Sequence, residues 1–362
     1  MVPLAEAQSV LGHAVRTLCV EKKGHAQVLP DPLRVRTSTF PLSLPFDNPG
    51  VSLAFARDIR RQVEAADVVH IHAVWNFPTW WAMRACATVG VPYVVAPQGS
   101  FDPWALQLHS WRKRVYGAWT EIPLLRRAAR VQALTQKEAV QIRGVLGEVR
   151  TSIIPNGVDV GRFTDRPAVA TTTGRSSRRP QLLSLSRLHP KKGVDRLLAG
   201  FAKISERFPE VDLVVAGDDG GTGYGGRLRT LAGQLGLGSR VRFIGEQRDE
   251  QKIDCFLQSD AFALISHSEG LPVAVLEAMA AALPVIVSAE CNLPEIEQER
   301  AGWVVAGGPE TIADALSALF ANWDEARERG QRGRVLVRER FTWPTIAAQT
   351  VRVYAECISN HD

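Results

Sequence analysis

The chain has 362 residues, 45% hydrophobic and 22% charged, with a formal net charge of +5. This is the makeup of a globular protein long enough for two domains, and it excludes disordered and collagen-like classes. Five scattered cysteines, never in a C-x-x-C pair, exclude a zinc ribbon and a disulfide framework and point to a reducing, cytoplasmic compartment.

The charge is unevenly placed. Residues 1–160 carry 18 Lys and Arg against 12 Asp and Glu, so the positive excess lies in the first half. Such asymmetry points to an anionic substrate or an anionic membrane surface. No helix-turn-helix, zinc-finger or RNP-like pattern supports a nucleic-acid partner.

In chain order, residues 4–12 read as a helix, and 14–20 and 34–40 as strands. A Pro-rich loop fills 41–49. An amphipathic helix over 51–65 leads to a strand over 67–72 that ends in His70-Ile71-His72. Two histidines two apart share one face of a strand. A metal site would need a third ligand that the neighbourhood does not offer, so a buried pair at the strand end is the better reading. A helix over 78–89 and a strand over 93–96 follow, then the turn-rich loop Pro97-Gln98-Gly99-Ser100 running on to Trp104. The stretch 111–129 reads as a helix rich in Arg and Lys, a candidate for an anionic surface. Strands over 131–134 and 152–154 flank a helix over 137–146.

Residues 164–180 are polar and aperiodic, the signature of a linker. A second series of strands then runs over 181–186, 211–216, 241–244, 261–265, 285–287 and 303–305, with helices between them and further helices from 309 to the end. Strands alternating with helices make a parallel sheet covered on both faces. The predicted organisation is a first domain over 1–163, the linker over 164–180, a second domain over 181–340, and a C-terminal helix over 341–362 that returns to the first domain.

The chemistry concentrates in the second series. Ser266 to Ser288 reads as loop, helix and strand, with Pro272 in the first helical turn and the helix running to about Ala282. Glu269 stands in the loop, and Glu277 stands in the helix among apolar residues. The free N–H groups near Gly270 and Leu271, at the positive end of the helix dipole, suit a phosphate. Arg187 and Lys192 leave the carboxyl end of the first strand of this domain, where open α/β sheets bind ligands, and two cations there suit a diphosphate. Gly217 to Gly226 has the wrong spacing for a dinucleotide fingerprint and reads as a flexible connection. The chain has no Asp-x-Asp, so no metal site is expected.

Ser186-Arg187-Leu188-His189-Pro190-Lys191-Lys192-Gly193, the E-x7-E pair Glu269 and Glu277, and Ile154-Pro155-Asn156-Gly157-Val158-Asp159 together resemble a family 4 retaining glycosyltransferase. The first half is similar to members that build bacterial exopolysaccharide and lipopolysaccharide. The resemblance implies a GT-B fold, two Rossmann-like domains facing across a cleft. It implies a nucleotide sugar, UDP- or GDP-linked, as co-substrate, no cofactor, and a glycan or lipid-linked acceptor. Arg187 and Lys192 would hold the diphosphate, Glu277 the ribose, and Glu269 with Gly270, Leu271 and Pro272 the donor sugar and β-phosphate. Gln98 and His72 would also touch the donor. Work at the inner face of the plasma membrane would follow. Many relatives have His where Gln98 stands, and often Gly where Ala282 stands. The alternative is a catalytically impaired relative that binds sugar nucleotide or membrane as a subunit. The chain opens on a helix where the family opens on a strand and a glycine-rich loop. The first domain is therefore expected to lack its first strand, with roughly 15–20 residues upstream.

Overall fold

The computed structural model describes residues 1–21, 29–44, 50–103, 117, 120–163 and 179–361. The chain divides into two compact units, Met1–Gly157 with Trp343–Asp362, and Val158–Thr342. The sequence placed the first break at residue 163. In the structure a 3-10 turn over Val160–Phe163 belongs to the second unit, because the buried Phe163 ring meets the Phe256 ring edge-on at 5.8 Å. Residues 164–178 of the expected linker lie outside the described residues.

In the first unit α1 (Val2–Val10) precedes β1 (Arg16–Val20) and β2 (Arg36–Phe40), which pair in parallel. Helix α2 (Leu53–Glu64) buries Phe55, Ile59 and Val63, one residue per turn, and starts where Ser52 accepts from Phe55 N. Then come β3 (Val69–His72), α3 (Phe77–Val89), β4 (Tyr93–Ala96), α4 (Glu121–Arg126), β5 (Arg130–Ala133), α5 (Gln136–Leu146) and β6 (Thr151–Ile153). The strands β3-β4-β5-β6 form a parallel sheet in that order. Among the described residues, β3 pairs only with β4 and β1 only with β2. Of the expected basic helix over 111–129, residues 111–116, 118 and 119 lie outside the described residues, as does Trp104; the described part contains α4.

The second unit holds β7 (Gln181–Leu185), α6 (Val194–Ile204), β8 (Asp212–Ala216), α7 (Tyr224–Gln234), β9 (Val241–Gly245), α8 (Asp249–Gln258), β10 (Ala261–Leu264), α9 (Val273–Ala280), β11 (Val285–Ser288), α10 (Glu295–Gln298), β12 (Gly302–Val305), α11 (Pro309–Ala321) and α12 (Trp323–Arg340). Its sheet is parallel throughout, in the order β12-β11-β10-β7-β8-β9. The inner strands are apolar runs because both faces are covered, whereas the edge strand β9 alternates and exposes Arg242. Leu197, Leu198 and Phe201 of α6 and Ile312, Leu316 and Leu319 of α11 lie in one buried cluster with Leu182, Leu213 and Val215 of the sheet. The last helix, α13 (Trp343–Ser359), packs on α1 in the first unit, where Leu4, Ile154, Ile346 and Ala347 share a small core. Among the described residues no helix is long and apolar enough to cross a membrane.

Three local expectations are corrected. Helix α9 ends at Ala280 instead of Ala282, and Pro272 is its N-cap with extended backbone instead of its first turn. Ala282 adopts φ +57°, a left-handed conformation that costs an L-residue about 1–2 kcal/mol. The connection over 217–226 is tied down by side chains: Asp218 accepts from Gly220 N, and Asp219 accepts from Gly221 N and Gly225 N. These backbone donors hold the Asp219 carboxyl below the usual carboxylate range.

Helix α12 crosses the end of α9 at Gly330. A Cβ there would lie 2.3 Å from the Ala282 carbonyl oxygen and 3.0 Å from Pro284 N, both backbone atoms. Gly330→Ala should therefore destabilise the second unit by about 1–3 kcal/mol, although alanine is the better helix former. The urea midpoint reads this. An unchanged midpoint would show that the two helices can part at no cost.

Candidate active site

At the carboxyl ends of β7 and β10 the backbone is laced tightly. His189 caps a 3-10 turn over Pro190–Lys192, its Nδ1 accepting from Lys191 N at 3.1 Å. His267 N donates to Lys191 O at 2.7 Å. Gly193 then turns with φ +61°, and a Cβ on it would stand 1.9 Å from the Ile265 carbonyl oxygen, so only glycine fits. This close approach carries Lys192 to Glu269. Its Nζ donates to Glu269 Oε1 at 2.6 Å, and the two side chains are 17% and 9% exposed.

Glu269 is fixed from three further directions. Ser266 Oγ donates to the same Oε1 at 2.6 Å, and Ser288 Oγ in turn holds Ser266 O at 2.7 Å. Glu269 N donates to Glu290 O at 3.2 Å. Asn292, left-handed at φ +58°, donates through Nδ2 to Glu269 O at 2.6 Å and reaches Gly270 O at 3.4 Å. The loop carbonyls at 269 and 270 are thereby turned toward Asn292. Leu271 and Pro272 are buried, and no side chain caps the start of α9; Val275 N donates to Pro272 O at 3.0 Å, which leaves the N–H groups of Val273 and Ala274 for an anion. Arg187 is exposed just beyond the end of β7.

Glu277 sits one turn into α9. Lys252 Nζ, from α8, donates to its Oε1 at 2.6 Å, while its Oε2 is buried with no hydrogen-bond partner. Burial raises the Glu277 carboxyl above the usual range, opposed by the charges of Lys252 and Arg162. The structure therefore brings Lys192 and Glu269 together, and gives Glu277 a cation of its own.

In the first unit, Gln98 follows β4 with φ +55°, and its Oε1 accepts from Asn156 Nδ2 at 3.1 Å. Glu138 holds this turn: Oε1 accepts from Gly99 N at 2.6 Å and Oε2 from Leu134 N at 2.7 Å. The His72 ring lies against the His70 ring, centroids 4.1 Å apart and planes tilted by 31°. Burial keeps both rings neutral, lowering His70 to about 4. Tyr354 OH lies 2.6 Å from His70 Nδ1, in hydrogen-bond contact with it, and accepts from Gln8 Nε2. Among the described residues no group of three His, Cys, Asp or Glu could hold a metal.

Sequence reasoning missed Ser266, Asn292, Lys252 and Glu138. Glu138 had a signal, because Thr135-x-x-Glu138 is a capping-box spacing and Thr135 Oγ1 does accept from Glu138 N. Asn292 had a weaker one as a turn former just before Leu293-Pro294. Nothing in the sequence marked Lys252.

A fully buried carboxylate, Glu121, supports the loop after β3. It accepts from Trp75 N at 2.8 Å, and Trp75 itself has φ +67°. Burial pushes Glu121 up to about 7, partly offset by the backbone donors of Trp75 and Asn76. The folded state therefore keeps this proton where the unfolded chain has lost it. The stability it contributes is present below the ordinary carboxylate value and is lost as pH rises through about 7. Glu121→Gln should remove this component, so wild type should lose stability relative to the variant between pH 5 and pH 8 in parallel urea titrations. A pH-independent difference would refute the assignment.

Comparison with known proteins places the chain. Residues 2–162 match the profile described as Glycosyltransferase Family 4, and residues 165–335 that described as Glycosyl transferases group 1. A D-inositol 3-phosphate glycosyltransferase of Actinosynnema mirum is 31% identical over 293 residues, covering 75% of this chain and 69% of that protein. A GDP-mannose-dependent alpha-(1-6)-phosphatidylinositol monomannoside mannosyltransferase of Mycobacterium tuberculosis is 33% identical over 208 residues. That match takes in 54% of this chain and 53% of the relative, so the chain spans about half the length of that relative. Among solved structures, Anabaena Alr3699/HepE in complex with UDP and glucose has a TM-score of 0.73 at 17% identity, covering 94% of this chain and 100% of that one. The shared architecture is the GT-B fold, with two Rossmann-like units. By these matches the chain belongs to glycosyltransferase family 4.

Proposed function

We propose that this protein is a retaining glycosyltransferase that moves a hexosyl group from a nucleoside-diphosphate sugar to a hydroxyl of a glycan or lipid-linked acceptor, in the cytoplasm. The observation that carries the reading is the Lys192–Glu269 pair at 2.6 Å, pinned by Ser266 beside the uncapped start of α9. Lys192 and Arg187 would neutralise the departing diphosphate, and the N–H groups at the start of α9 would take its β-phosphate. Glu269 has one oxygen committed to Lys192 and Ser266, and its remaining lone pairs would accept from donor-sugar hydroxyls. Glu277 would accept from the ribose. For Gln98 and His72 the proposed role is hydrogen bonding to sugar hydroxyls. Attack on the same face of the sugar would let the leaving phosphate take the acceptor proton. The protein then supplies charge stabilisation and positioning, with no protein nucleophile. Relatives named for GDP-mannose and phosphatidylinositol mannoside, and for inositol 3-phosphate, favour an inositol-bearing or glycolipid acceptor over a polysaccharide.

Nucleotide diphosphate should bind without added metal, because side-chain cations and the helix start already supply positive charge. Calorimetry with UDP and GDP in EDTA checks this, and binding abolished by the chelator would count against it. Lys192→Ala should weaken that binding by about 1.5–3 kcal/mol. Glu269→Gln should lower turnover by about 10²-fold with little change in nucleotide affinity. Transfer across a panel of UDP and GDP sugars tests the whole reading. Tight donor binding with neither transfer nor hydrolysis would favour a non-catalytic sugar-nucleotide subunit, the reading that Gln98 in place of histidine supports.

A peripheral site at an anionic membrane is part of the proposal. On α3, Phe77 stacks on Trp81, and the exposed Arg84 guanidinium lies 5.7 Å from the ring centres of both Trp80 and Trp81. An aromatic and cationic surface of this kind suits the headgroup region. Co-sedimentation with phosphatidylglycerol vesicles at low salt is the expected outcome, and its absence sinks this part.

A further inference from the structure

Glu277 lies in an apolar helix, Val273–Ala280, whose buried residues are Val275, Leu276, Ala278, Met279 and Ala280. Its side chain is 13% exposed, and burial of an isolated carboxylate so placed favours the protonated form. A protonated carboxyl donates a hydrogen bond and loses the charge that makes its acceptor oxygen strong. Binding of sugar hydroxyls by Glu277 therefore needs a cation beside it.

The fold supplies one from a different element. Lys252 stands on α8 one turn before Phe256, so the two share a face. Phe256 is fully buried between Phe163 and Phe262, with ring centroids 5.8 Å away in each case. This anchor fixes the face of α8 that carries Lys252, whose Nζ meets Glu277 Oε1 at 2.6 Å. The lysine takes Oε1 alone. Oε2 is left buried without a hydrogen-bond partner among the described residues, an acceptor free to take a ligand donor. Arg162, the other cation that acts on Glu277, is itself paired with Glu250 at 2.9 Å in an exposed bridge.

We propose that Lys252 is a positioning residue of the nucleotide site, which holds Glu277 ionised and turned so that Oε2 accepts from the cis-hydroxyls of the nucleotide ribose. This rests on the reading of Glu277 as the ribose contact. Lys252 acts through Glu277 and contributes little to a ligand that lacks those hydroxyls.

The test is calorimetry with UDP and GDP and their 3′-deoxy counterparts on wild type, Lys252→Met, Lys252→Arg and Glu277→Gln. For whichever nucleotide binds, wild type should prefer the ribose form by about tenfold, as expected for a charged hydrogen bond. Both Glu277→Gln and Lys252→Met should abolish that preference while the deoxy affinity changes less than about threefold, and Lys252→Arg should restore it. A preference lost in Glu277→Gln but kept in Lys252→Met overturns the role of Lys252 and leaves Glu277 as the ribose contact. A preference kept in Glu277→Gln overturns the ribose reading itself. Equal loss of both ligand forms in Lys252→Met, with the ratio unchanged, also overturns the proposal. Should Lys252→Met fail to fold, Lys252→Gln combined with Glu277→Gln removes both charges together. That pair variant should match Glu277→Gln alone, and any further change in the ribose preference counts against a role exerted through Glu277.

Discussion

The approach of Gly193 to the Ile265 carbonyl is the constraint on which the rest of the candidate site depends. The N-cap of α6 and the residue after β10 are brought so close that no side chain fits between them, and the space a Cβ would need decides the residue. From that contact the next residue back, Lys192, reaches Glu269 across 77 positions of sequence. Gly217 repeats the device one strand over, where a Cβ would stand 1.8 Å from the Ser186 carbonyl oxygen. The carboxyl edge of this sheet is thus drawn together by backbone before any side chain contributes. The charged groups are set on a scaffold whose geometry glycine alone permits.

The charges in the second unit follow a common rule. Each acid of the E-x7-E pair has a lysine at 2.6 Å, and the two lysines come from different elements. Ion pairs this sheltered are costly to break, because removing one partner strands the other in a poor solvent for charge. They also hold their carboxylates in one orientation. A network of serine and asparagine bonds does the same for the loop at Glu269. Glu138 and Glu121 hold turns in the first unit without any lysine; they accept from backbone N–H groups instead, and burial raises both carboxyls.

Much of this was legible in the sequence, for a physical reason. Parallel strands covered on both faces are short apolar runs, and the expected runs at 181–186, 241–244, 261–265 and 285–287 match β7, β9, β10 and β11 to within a residue or two. Glycine and proline marked their ends. Glu269, Glu277, Arg187 and Lys192 stood out because charge beside a strand end is chemically conspicuous. Lys252 did not, because 25 residues separate it from Glu277 and α8 carries other charged residues of similar appearance. The left-handed backbone at Ala73, Trp75 and Gln98 was equally hidden, since none of these residue types advertises a positive φ. The order in 217–226 was hidden as well, because it depends on the Asp218 and Asp219 carboxylates accepting from backbone N–H groups of nearby glycines.

Helix α13 completes a unit whose other residues end at Gly157. Its Tyr354 hydroxyl answers buried His70, and its Ile346 and Ala347 close the small core over Leu4 and Ile154. On a ribosome, the whole of Val158–Thr342 emerges before that helix does. At about 5–20 residues per second the wait is on the order of tens of seconds. Through that interval the apolar surface under α13 stands open, while the second unit has every residue it needs. The later-made unit can therefore finish folding first, although its chain is the younger of the two.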